Sequence, residues 1–300
     1  MISYFEIPRK FRAPRVAMAG LLAASLLIAG SSSYAGETGV PALAVDQEAV
    51  KLLPESIKAQ KVLRVVMPTN EPPTQYYEAG TQNMTGINPE IARLIGQALG
   101  LRVDIKVATF DAIIPGMAAG RYDMSVASMT PTTERMKVLD FVDYMAIGED
   151  IVVPKGNPLG LNQHNLCGKK VALLTGSYQL TVELPDFNKA CQAAGKAQIQ
   201  VSTFQETQQA IAALISGRQD AVWADSPILD LVARQNAEIA VADTFNFDPV
   251  AVGVSKDSNL LKATSAAVAY VIKSPAYLAV LSKYGVKTSA VTNARVNFAQ

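Results

Sequence analysis

Short apolar runs typical of β-strands alternate with helix-like segments along most of this chain, and that alternation constrains the fold more than any other feature. Residues 62–67, 103–107 and 124–127 are strand-like, and amphipathic helical segments separate them. A chain that alternates in this way forms βαβ units with mostly parallel strands. We therefore predict an α/β fold.

Two further apolar runs, residues 151–153 and 250–254, enclose a block that is complete in itself. The block is predicted to contain a helix over residues 205–216 and three strands. These strands are residues 169–174, 199–202 and 221–224. The chain thus leaves one lobe, builds a second and returns, and the two crossing segments form a hinge. The predicted parts are a loose N-terminal extension (36–58), a first lobe (59–150 and 248–300) and a second lobe (151–247).

The sequence Asn88-Pro89-Glu90 marks a helix start in the first lobe. Asn is a common N-cap, Pro suits the first helical position, and Glu complements the helix dipole. We therefore predict that Asn88 caps this helix and that Gly100 ends it.

Residues 1–35 are predicted to be a secretion signal rather than part of the fold. Four basic residues precede an apolar segment over residues 17–30, and Ser33-Tyr34-Ala35 fits a cleavage site. The apolar segment is short for a transmembrane helix, which needs ~20 residues. A lipid anchor is not expected, because no cysteine lies near the cleavage site. A periplasmic location is expected.

Without that segment the formal net charge changes from +1 to about −2, which disfavours nucleic acid as a partner. Cys167 and Cys191 are the only cysteines, and in a secreted chain we expect them to form a disulfide; two buried thiols are the alternative. No metal site is expected, because His164 is the only histidine.

Three segments carry chemistry suited to one small zwitterion. Residues 128–135 place hydroxyls and backbone N–H groups before Arg135, whose planar guanidinium matches a carboxylate. Residues 173–179 form a glycine turn before a helix, where N–H groups suit an anion. Residues 220–227 deliver Asp225 at the C-terminal end of an apolar strand, where ligands of α/β sheets bind. Together the segments indicate a site for a free amino acid.

The chain resembles the polar amino-acid-binding proteins of ABC importers, which are two-lobed periplasmic receptors, over about residues 61–286. The motifs that carry the resemblance are Gly86-Ile87-Asn88-Pro89-Glu90-Ile91, Phe110-Asp111-Ala112-Ile113-Ile114-Pro115, Gly120-Arg121-Tyr122-Asp123, Met129-Thr130-Pro131-Thr132-Thr133-Glu134-Arg135, Asp140-Phe141-Val142-Asp143-Tyr144, Gly168-Lys169-Lys170-Val171-Ala172 and Gly217-Arg218-Gln219-Asp220-Ala221. The resemblance implies a periplasmic-binding-protein-like type II fold with hinge strands between the lobes. It also implies an amino-acid ligand, a membrane permease as partner, no cofactor and a monomer.

Carried over position by position, the resemblance implies that Arg135 binds the ligand α-carboxylate and Asp225 its α-ammonium. The other implied ligand contacts are Ser128, Thr130, Tyr178 and Phe110, and Ser177 in the glycine turn is a further candidate. The chain departs from the family where many members have an aromatic ring in the first loop, because it has Glu71 there, and Pro68 replaces a frequent aspartate. If Glu71 faces the cleft, its charge favours a cationic or hydrogen-bonding ligand side chain.

Each assignment has a plainer alternative. Arg135 is otherwise a surface residue, Asp225 otherwise only caps the next helix, and Glu71 otherwise is a solvated loop carboxylate. A rival function is a periplasmic enzyme on the same scaffold, similar to cyclohexadienyl or arogenate dehydratases. Such an enzyme needs a general acid or base in the cleft. We predict no catalytic residue, because the second-lobe turn supplies Ser177, Tyr178 and Gln179, with Glu183 a turn further on.

Overall fold

The computed structural model describes residues 39–299; the predicted signal segment 1–35 lies outside them. The N-terminal extension is less loose than predicted, because it contains two short helices, Gln47–Lys51 (α1) and Glu55–Gln60 (α2). The Asp46 side chain accepts a hydrogen bond from the Glu48 N–H and so caps α1. Ala49 is fully buried, which ties this extension to the rest of the chain.

The remaining elements follow the predicted alternation of strands and helices. In chain order they are β1 (Val62–Met67), β2 (Tyr76–Tyr77), β3 (Met84–Thr85), α3 (Ile87–Ala98), β4 (Arg102–Val107), α4 (Ile113–Ala118), β5 (Met124–Met129), β6 (Leu139–Pro154), β7 (Lys170–Leu174), α5 (Leu184–Ala193), β8 (Gln200–Phe204), α6 (Thr207–Ile215), β9 (Ala221–Asp225), α7 (Ser226–Gln235), β10 (Ile239–Ser255), α8 (Leu261–Lys273) and α9 (Pro275–Lys283). Short 3₁₀ helices cover Phe110–Ala112 and Arg135–Lys137, and a π-helix covers Gln179–Glu183.

One eight-stranded mixed sheet runs through the molecule in the order β4-β1-β5-β10-β6-β9-β7-β8. The outer groups β4-β1-β5 and β9-β7-β8 are parallel, as predicted. The central strands β6 and β10 are long and antiparallel to each other. They contain the apolar runs 151–153 and 250–254, so the crossing segments predicted from the sequence are the middle of the sheet.

The buried apolar residues divide along these two long strands. One cluster draws on residues 49–147 and 250–281, and two smaller clusters draw on residues 151–245. This is a two-lobed α/β fold in which β6 and β10 connect the lobes. In each lobe the carboxyl ends of the parallel strands lead into loops that face the other lobe, which is where ligands of such sheets bind.

Cys167 and Cys191 form the predicted disulfide in the second lobe, with their Cα atoms 5.6 Å apart. Trp223 is fully buried beside Phe187 and Phe245 in the same lobe. Within residues 39–299, no single helix has the length and apolar character to cross a membrane, although α8 and α9 meet both criteria as a pair bent by 74°.

The predicted capping role of Asn88 is wrong. Helix α3 begins at Ile87, and its N-cap is Gly86, whose φ of 119° suits glycine alone. A Cβ at Gly86 would lie 2.6 Å from the Thr74 carbonyl oxygen, so a side chain is excluded there. The Asn88 side chain is instead completely buried inside the first lobe.

Candidate functional site

A cavity between the lobes collects the predicted site residues. The cavity is small, with a volume of about 30 Å³, and it is partly open to solvent. The first lobe contributes Glu71, Thr74, Phe110, Ala127, Ser128, Thr130 and Arg135, and the second contributes Leu174, Ser177, Tyr178, Gln179, Thr207, Ala224, Asp225 and Ile228. All eight residues that the sequence singled out as ligand contacts line this one cavity.

Arg135 is not a surface residue, since only 8% of it is exposed. Its Nη1 donates to the Thr130 carbonyl at 2.7 Å, and its Nη2 donates to the Gly176 carbonyl of the other lobe at 2.9 Å. The guanidinium carbon lies 5.5 Å from the centre of the Phe110 ring, within cation–π range. Burial lowers the pKa of Arg135 to about 10, so the side chain stays charged at neutral pH.

Asp225 ends β9 and faces the same cavity from the second lobe. It occupies the N-cap position of α7, but its side chain makes no capping hydrogen bond, which argues against a capping role alone. Its Oδ1 accepts a hydrogen bond from Gln179 Nε2 at 3.0 Å. Burial raises the pKa of Asp225 to about 6, while Gln179 and Arg135 oppose that rise.

Glu71 also faces the cavity and is not a solvated loop residue, because only 4% of it is exposed. Gln75 Nε2 donates to its Oε2 at 2.7 Å, and the Thr207 hydroxyl of the second lobe donates to its Oε1 at 2.9 Å. Burial raises the pKa of Glu71 to about 7, and both donors counteract that effect.

Ser128 has a left-handed backbone, with φ of 50°, at the end of β5. This conformation is uncommon outside glycine and places its N–H 3.1 Å from the Tyr144 hydroxyl oxygen, which accepts from it. The Ser128 hydroxyl accepts from Asn88 Nδ2 at 3.0 Å. The backbone N–H of Ser128 is therefore engaged inside the first lobe, while the residue as a whole lines the cavity.

Ser177 lies in the glycine turn after β7, and only 6% of it is exposed. Its Oγ accepts from the Leu180 N–H at 3.2 Å, and its carbonyl accepts from the Thr181 hydroxyl. Tyr178 immediately precedes the π-helix, and burial raises the pKa of its hydroxyl to about 12. The turn thus presents two consecutive residues of the predicted set to the cavity.

The lobes touch around this cavity. Besides the bonds from Arg135 to Gly176 and from Thr207 to Glu71, Asn70 Nδ2 donates to Glu206 at 3.0 Å across the cleft. Gly176 approaches the first lobe so closely that a Cβ built on it would lie 3.1 Å from the Asp111 Cβ.

The sequence interpretation missed Gln179 and Thr207 as cavity residues. Gln179 lay within the predicted turn, and its amide now holds Asp225. Thr207 begins the helix that follows β8, and this position at the end of a parallel strand was the signal available for it. Among the described residues, no group of three or more His, Cys, Asp or Glu side chains is arranged to hold a metal ion.

Several known proteins are similar to this chain over most of its length. The sequence profile of the bacterial extracellular solute-binding proteins, family 3, matches residues 63–287. The Arginine-binding protein ArgT of Corynebacterium glutamicum is 25% identical over 248 residues, which cover 82% of this chain and 81% of that protein.

Two solved structures of ancestral proteins are also similar. An ancestral arginine-binding protein bound to arginine is 30% identical, with a TM-score of 0.68 over 75% of this chain and 98% of that one. An ancestral amino acid-binding protein described as a precursor of cyclohexadienyl dehydratase is 27% identical, with a TM-score of 0.66 over 78% of this chain and 99% of that one. This chain belongs to the bacterial extracellular solute-binding proteins, family 3.

Proposed function

We propose that this protein is the periplasmic receptor of an ABC importer and that it captures an amino acid with a cationic side chain between its lobes. The observation that carries the proposal is the meeting of Arg135 from one lobe and Asp225 from the other at a single cavity. A free amino acid has one negative and one positive end at neutral pH, and these two side chains match them.

In this proposal the ligand α-carboxylate binds Arg135. Two guanidinium N–H groups donate to the carbonyls of Thr130 and Gly176, and a guanidinium has five, so donors remain for a carboxylate. The hydroxyls of Ser128 and Thr130, together with the backbone N–H of Tyr178, complete the carboxylate site; the Ser177 N–H donates to the Leu174 carbonyl instead.

The α-ammonium binds Asp225 in the same proposal. Gln179 holds this carboxylate toward the cavity through its amide. A cationic group beside Asp225 favours the charged form of the carboxylate, so binding lowers a pKa that burial has raised to about 6.

Glu71 then decides which side chain is accepted. Once Arg135 and Asp225 are paired with the zwitterion, the buried carboxylate of Glu71 remains for the ligand side chain. A guanidinium or ammonium group matches that charge, and the Phe110 ring offers a flat apolar surface. The similarity to proteins named for binding arginine supports the same ligand class.

Closure of the lobes is the signal that such a receptor passes to its permease. Because the two ends of the ligand contact different lobes, binding favours the closed arrangement through contacts that an open arrangement lacks. In this proposal the first lobe comprises residues 59–150 and 248–300, and the second comprises residues 151–247. The hinge lies where the chain passes from one lobe to the other. Residues 1–35 act as the secretion signal, and the mature protein works as a monomer without a cofactor.

The rival function is that of a dehydratase, and the similarity to a dehydratase precursor is the observation that favours it. Glu71 is the cavity carboxyl with a pKa nearest neutrality, at about 7, as a general acid or base requires. However, the hydrogen bonds to both of its oxygens favour the charged form, and a cationic ligand group beside it would lower this pKa further. This arrangement favours binding over catalysis.

Isothermal titration of the chain without residues 1–35 tests the proposal. We expect L-arginine and L-lysine to bind more tightly than L-glutamine, and L-leucine to bind weakly. A preference for L-leucine would reject the assigned role of Glu71. Incubation with arogenate or prephenate, followed by chromatography, separates the two functions, because release of an aromatic product would establish an enzyme.

A further inference from the structure

A buried hydrogen-bonded network connects the cavity to the long strand β6, and Asn88 is its centre. Asn88 is completely buried, so water does not complete its hydrogen bonds. Its Oδ1 accepts from the Tyr144 hydroxyl on β6 at 2.5 Å. Its Nδ2 donates to Gln75 Oε1 at 2.6 Å and to Ser128 Oγ at 3.0 Å.

The network has one consistent direction. The Ser128 N–H donates to the Tyr144 oxygen, Tyr144 donates to Asn88, and Asn88 donates to both Gln75 and Ser128. Gln75 then donates to the Glu71 carboxylate. The Ser128 N–H, the Tyr144 hydroxyl, the Asn88 amide and the Gln75 amide thus each donate to an acceptor, as buried polar groups require.

The opposite orientation of the Asn88 amide does not satisfy these groups. If the Asn88 oxygen faced Gln75, the Gln75 amide would have to turn its NH₂ toward Asn88. The Gln75 oxygen would then face the Glu71 carboxylate. With its NH₂ toward Tyr144, it would leave the Tyr144 hydroxyl proton without its present acceptor. Both changes leave buried polar atoms unpaired, which is costly.

The consequence for the cavity concerns the Ser128 hydroxyl. Because its oxygen already accepts from Asn88, its own proton is free to donate, and Ser128 lines the cavity. The proposed acceptor there is the ligand carboxylate. On the other branch, the Gln75 amide presents its NH₂ to Glu71 and stabilises the charged form that a cationic ligand side chain needs.

We propose that Asn88 is a positioning residue for the ligand: its amide sets the hydrogen-bond direction that makes Ser128 a donor to the ligand carboxylate and Gln75 a donor to Glu71. This inference rests on the proposed function, since it assumes an amino-acid ligand in the cavity. Asn88 itself is not among the residues that line the cavity.

Asn88→Asp is the informative substitution because it keeps the shape of the side chain and replaces the amide NH₂ with a second carboxylate oxygen, which accepts instead of donating. The new carboxylate would accept from Tyr144 as before, but it would also draw the Ser128 proton inward and attract the Gln75 NH₂ away from Glu71. We expect the Kd for L-arginine to rise by at least about tenfold. Asn83→Asp, at an exposed position, is the matched control and should leave the Kd unchanged.

A double-mutant cycle with Ser128→Ala separates positioning from a general structural effect. If Asn88 acts through the Ser128 hydroxyl, Asn88→Asp should weaken binding at least about threefold less in the Ser128→Ala background than in the unmodified protein. Equal losses in both backgrounds overturn the inference. Circular dichroism and thermal unfolding establish that each variant is folded.

Tyr144→Phe provides a second route should Asn88→Asp not fold. It removes the hydroxyl that fixes the Asn88 oxygen, so the amide loses its preferred orientation. We expect the Kd for L-arginine to rise about threefold to tenfold, and an unchanged Kd overturns the inference. If the unmodified protein binds neither L-arginine nor L-lysine, the proposed function fails and this inference with it, whereas normal binding by Asn88→Asp overturns the inference alone.

Discussion

Arg135 donates from Nη2 to the carbonyl oxygen of Gly176 at 2.9 Å, and this hydrogen bond joins the two lobes across the cavity. The guanidinium that we assign to the ligand carboxylate thus also touches the opposite lobe directly. The Thr207 hydroxyl joins the lobes in the same way through Glu71. Residues to which we assign ligand contacts therefore also form contacts between the lobes, and we expect substitutions at the cavity to alter both.

Replacement of either charged anchor should weaken binding strongly. We expect Arg135→Ala and Asp225→Ala each to raise the Kd for L-arginine by roughly tenfold to a hundredfold, because hydrogen bonds to charged groups contribute about 1.5–3 kcal/mol. Arg121→Ala and Asp257→Ala, at exposed positions, are the matched controls. If both cavity variants gave the same titration isotherm as the unmodified protein, the assigned roles would be contradicted.

Glu71→Gln should change the ligand preference rather than abolish binding. The substitution keeps the shape of the side chain but removes the charge that we assign to a cationic ligand group. We expect the Kd for L-arginine to rise about tenfold, and the Kd for L-glutamine to change by less than about threefold. The comparison variant is Glu78→Gln, which is exposed further along the same loop region. An equal loss of affinity for L-arginine and L-glutamine would show that Glu71 does not distinguish between ligand side chains.

The stability of the unliganded protein should depend on pH through Glu71. Its folded-state pKa of about 7 lies above the ordinary value of 4.5, so the folded state holds more protons between these pH values. The free energy of unfolding therefore falls as pH rises through that window. From about pH 5 to about pH 8, we expect the unmodified protein to lose roughly 2–3 kcal/mol more than Glu71→Gln.

Urea unfolding at several pH values measures this difference. Asp150 is another buried carboxyl whose pKa is raised by burial, to about 7, so the unmodified protein alone does not isolate one group. The comparison with Glu71→Gln does isolate it, because Asp150 is present in both proteins. Parallel pH dependences in the two proteins would argue against the raised pKa of Glu71.

Loss of the disulfide should lower stability without altering the ligand site. Cys167 and Cys191 are 24 residues apart, and closing a loop of that size stabilises a fold by roughly 3 kcal/mol in the chain-entropy account. Neither cysteine lines the cavity. We therefore expect Cys167→Ala/Cys191→Ala to unfold at lower urea concentration while its Kd for L-arginine stays within about twofold. A large rise in the Kd at temperatures where the variant is folded would contradict this separation.

Local sequence patterns predicted the elements of this fold more accurately than their connections. The strands of the parallel groups lie close to their predicted positions because short apolar runs identify them. Strands β6 and β10 are much longer than the runs 151–153 and 250–254, since buried polar residues such as Asp143 and Asp150 interrupt the apolar pattern. Those carboxylates are accommodated by distant partners, Arg295 and Thr244, that a local pattern does not reveal.

The cavity shows the same division between local and long-range information. Arg135 and Asp225 were predicted to be ligand contacts because the residue types of each short segment indicate its chemistry without information from the rest of the chain. Asn88 was assigned the wrong role because its residue type suits a cap, while its actual partners come from Gln75 and Tyr144, far apart in the chain. Thr207 was missed for a related reason, since its contact with Glu71 exists only once the two lobes meet.

Gly176→Ala should impair closure of the lobes, and the chain offers a close control. Gly176 has φ of 78°, and an added Cβ would lie 3.1 Å from the Asp111 Cβ on the opposite lobe. Gly156 has φ of 80°, but an added Cβ there meets no atom within 4 Å. Both substitutions carry a similar backbone cost of roughly 1 kcal/mol, so only the lobe contact distinguishes them.

We therefore expect both alanine variants to lose similar stability, whereas Gly176→Ala alone raises the Kd for L-arginine, by about fivefold or more. Small-angle X-ray scattering with saturating L-arginine should also give a larger radius of gyration for Gly176→Ala than for Gly156→Ala. The physical reason is that closure brings Gly176 against Asp111, and a methyl group at that point forces the lobes apart or displaces the turn that carries Ser177 and Tyr178. Identical affinities and radii for the two variants would mean that this close approach is not part of the ligand-bound state.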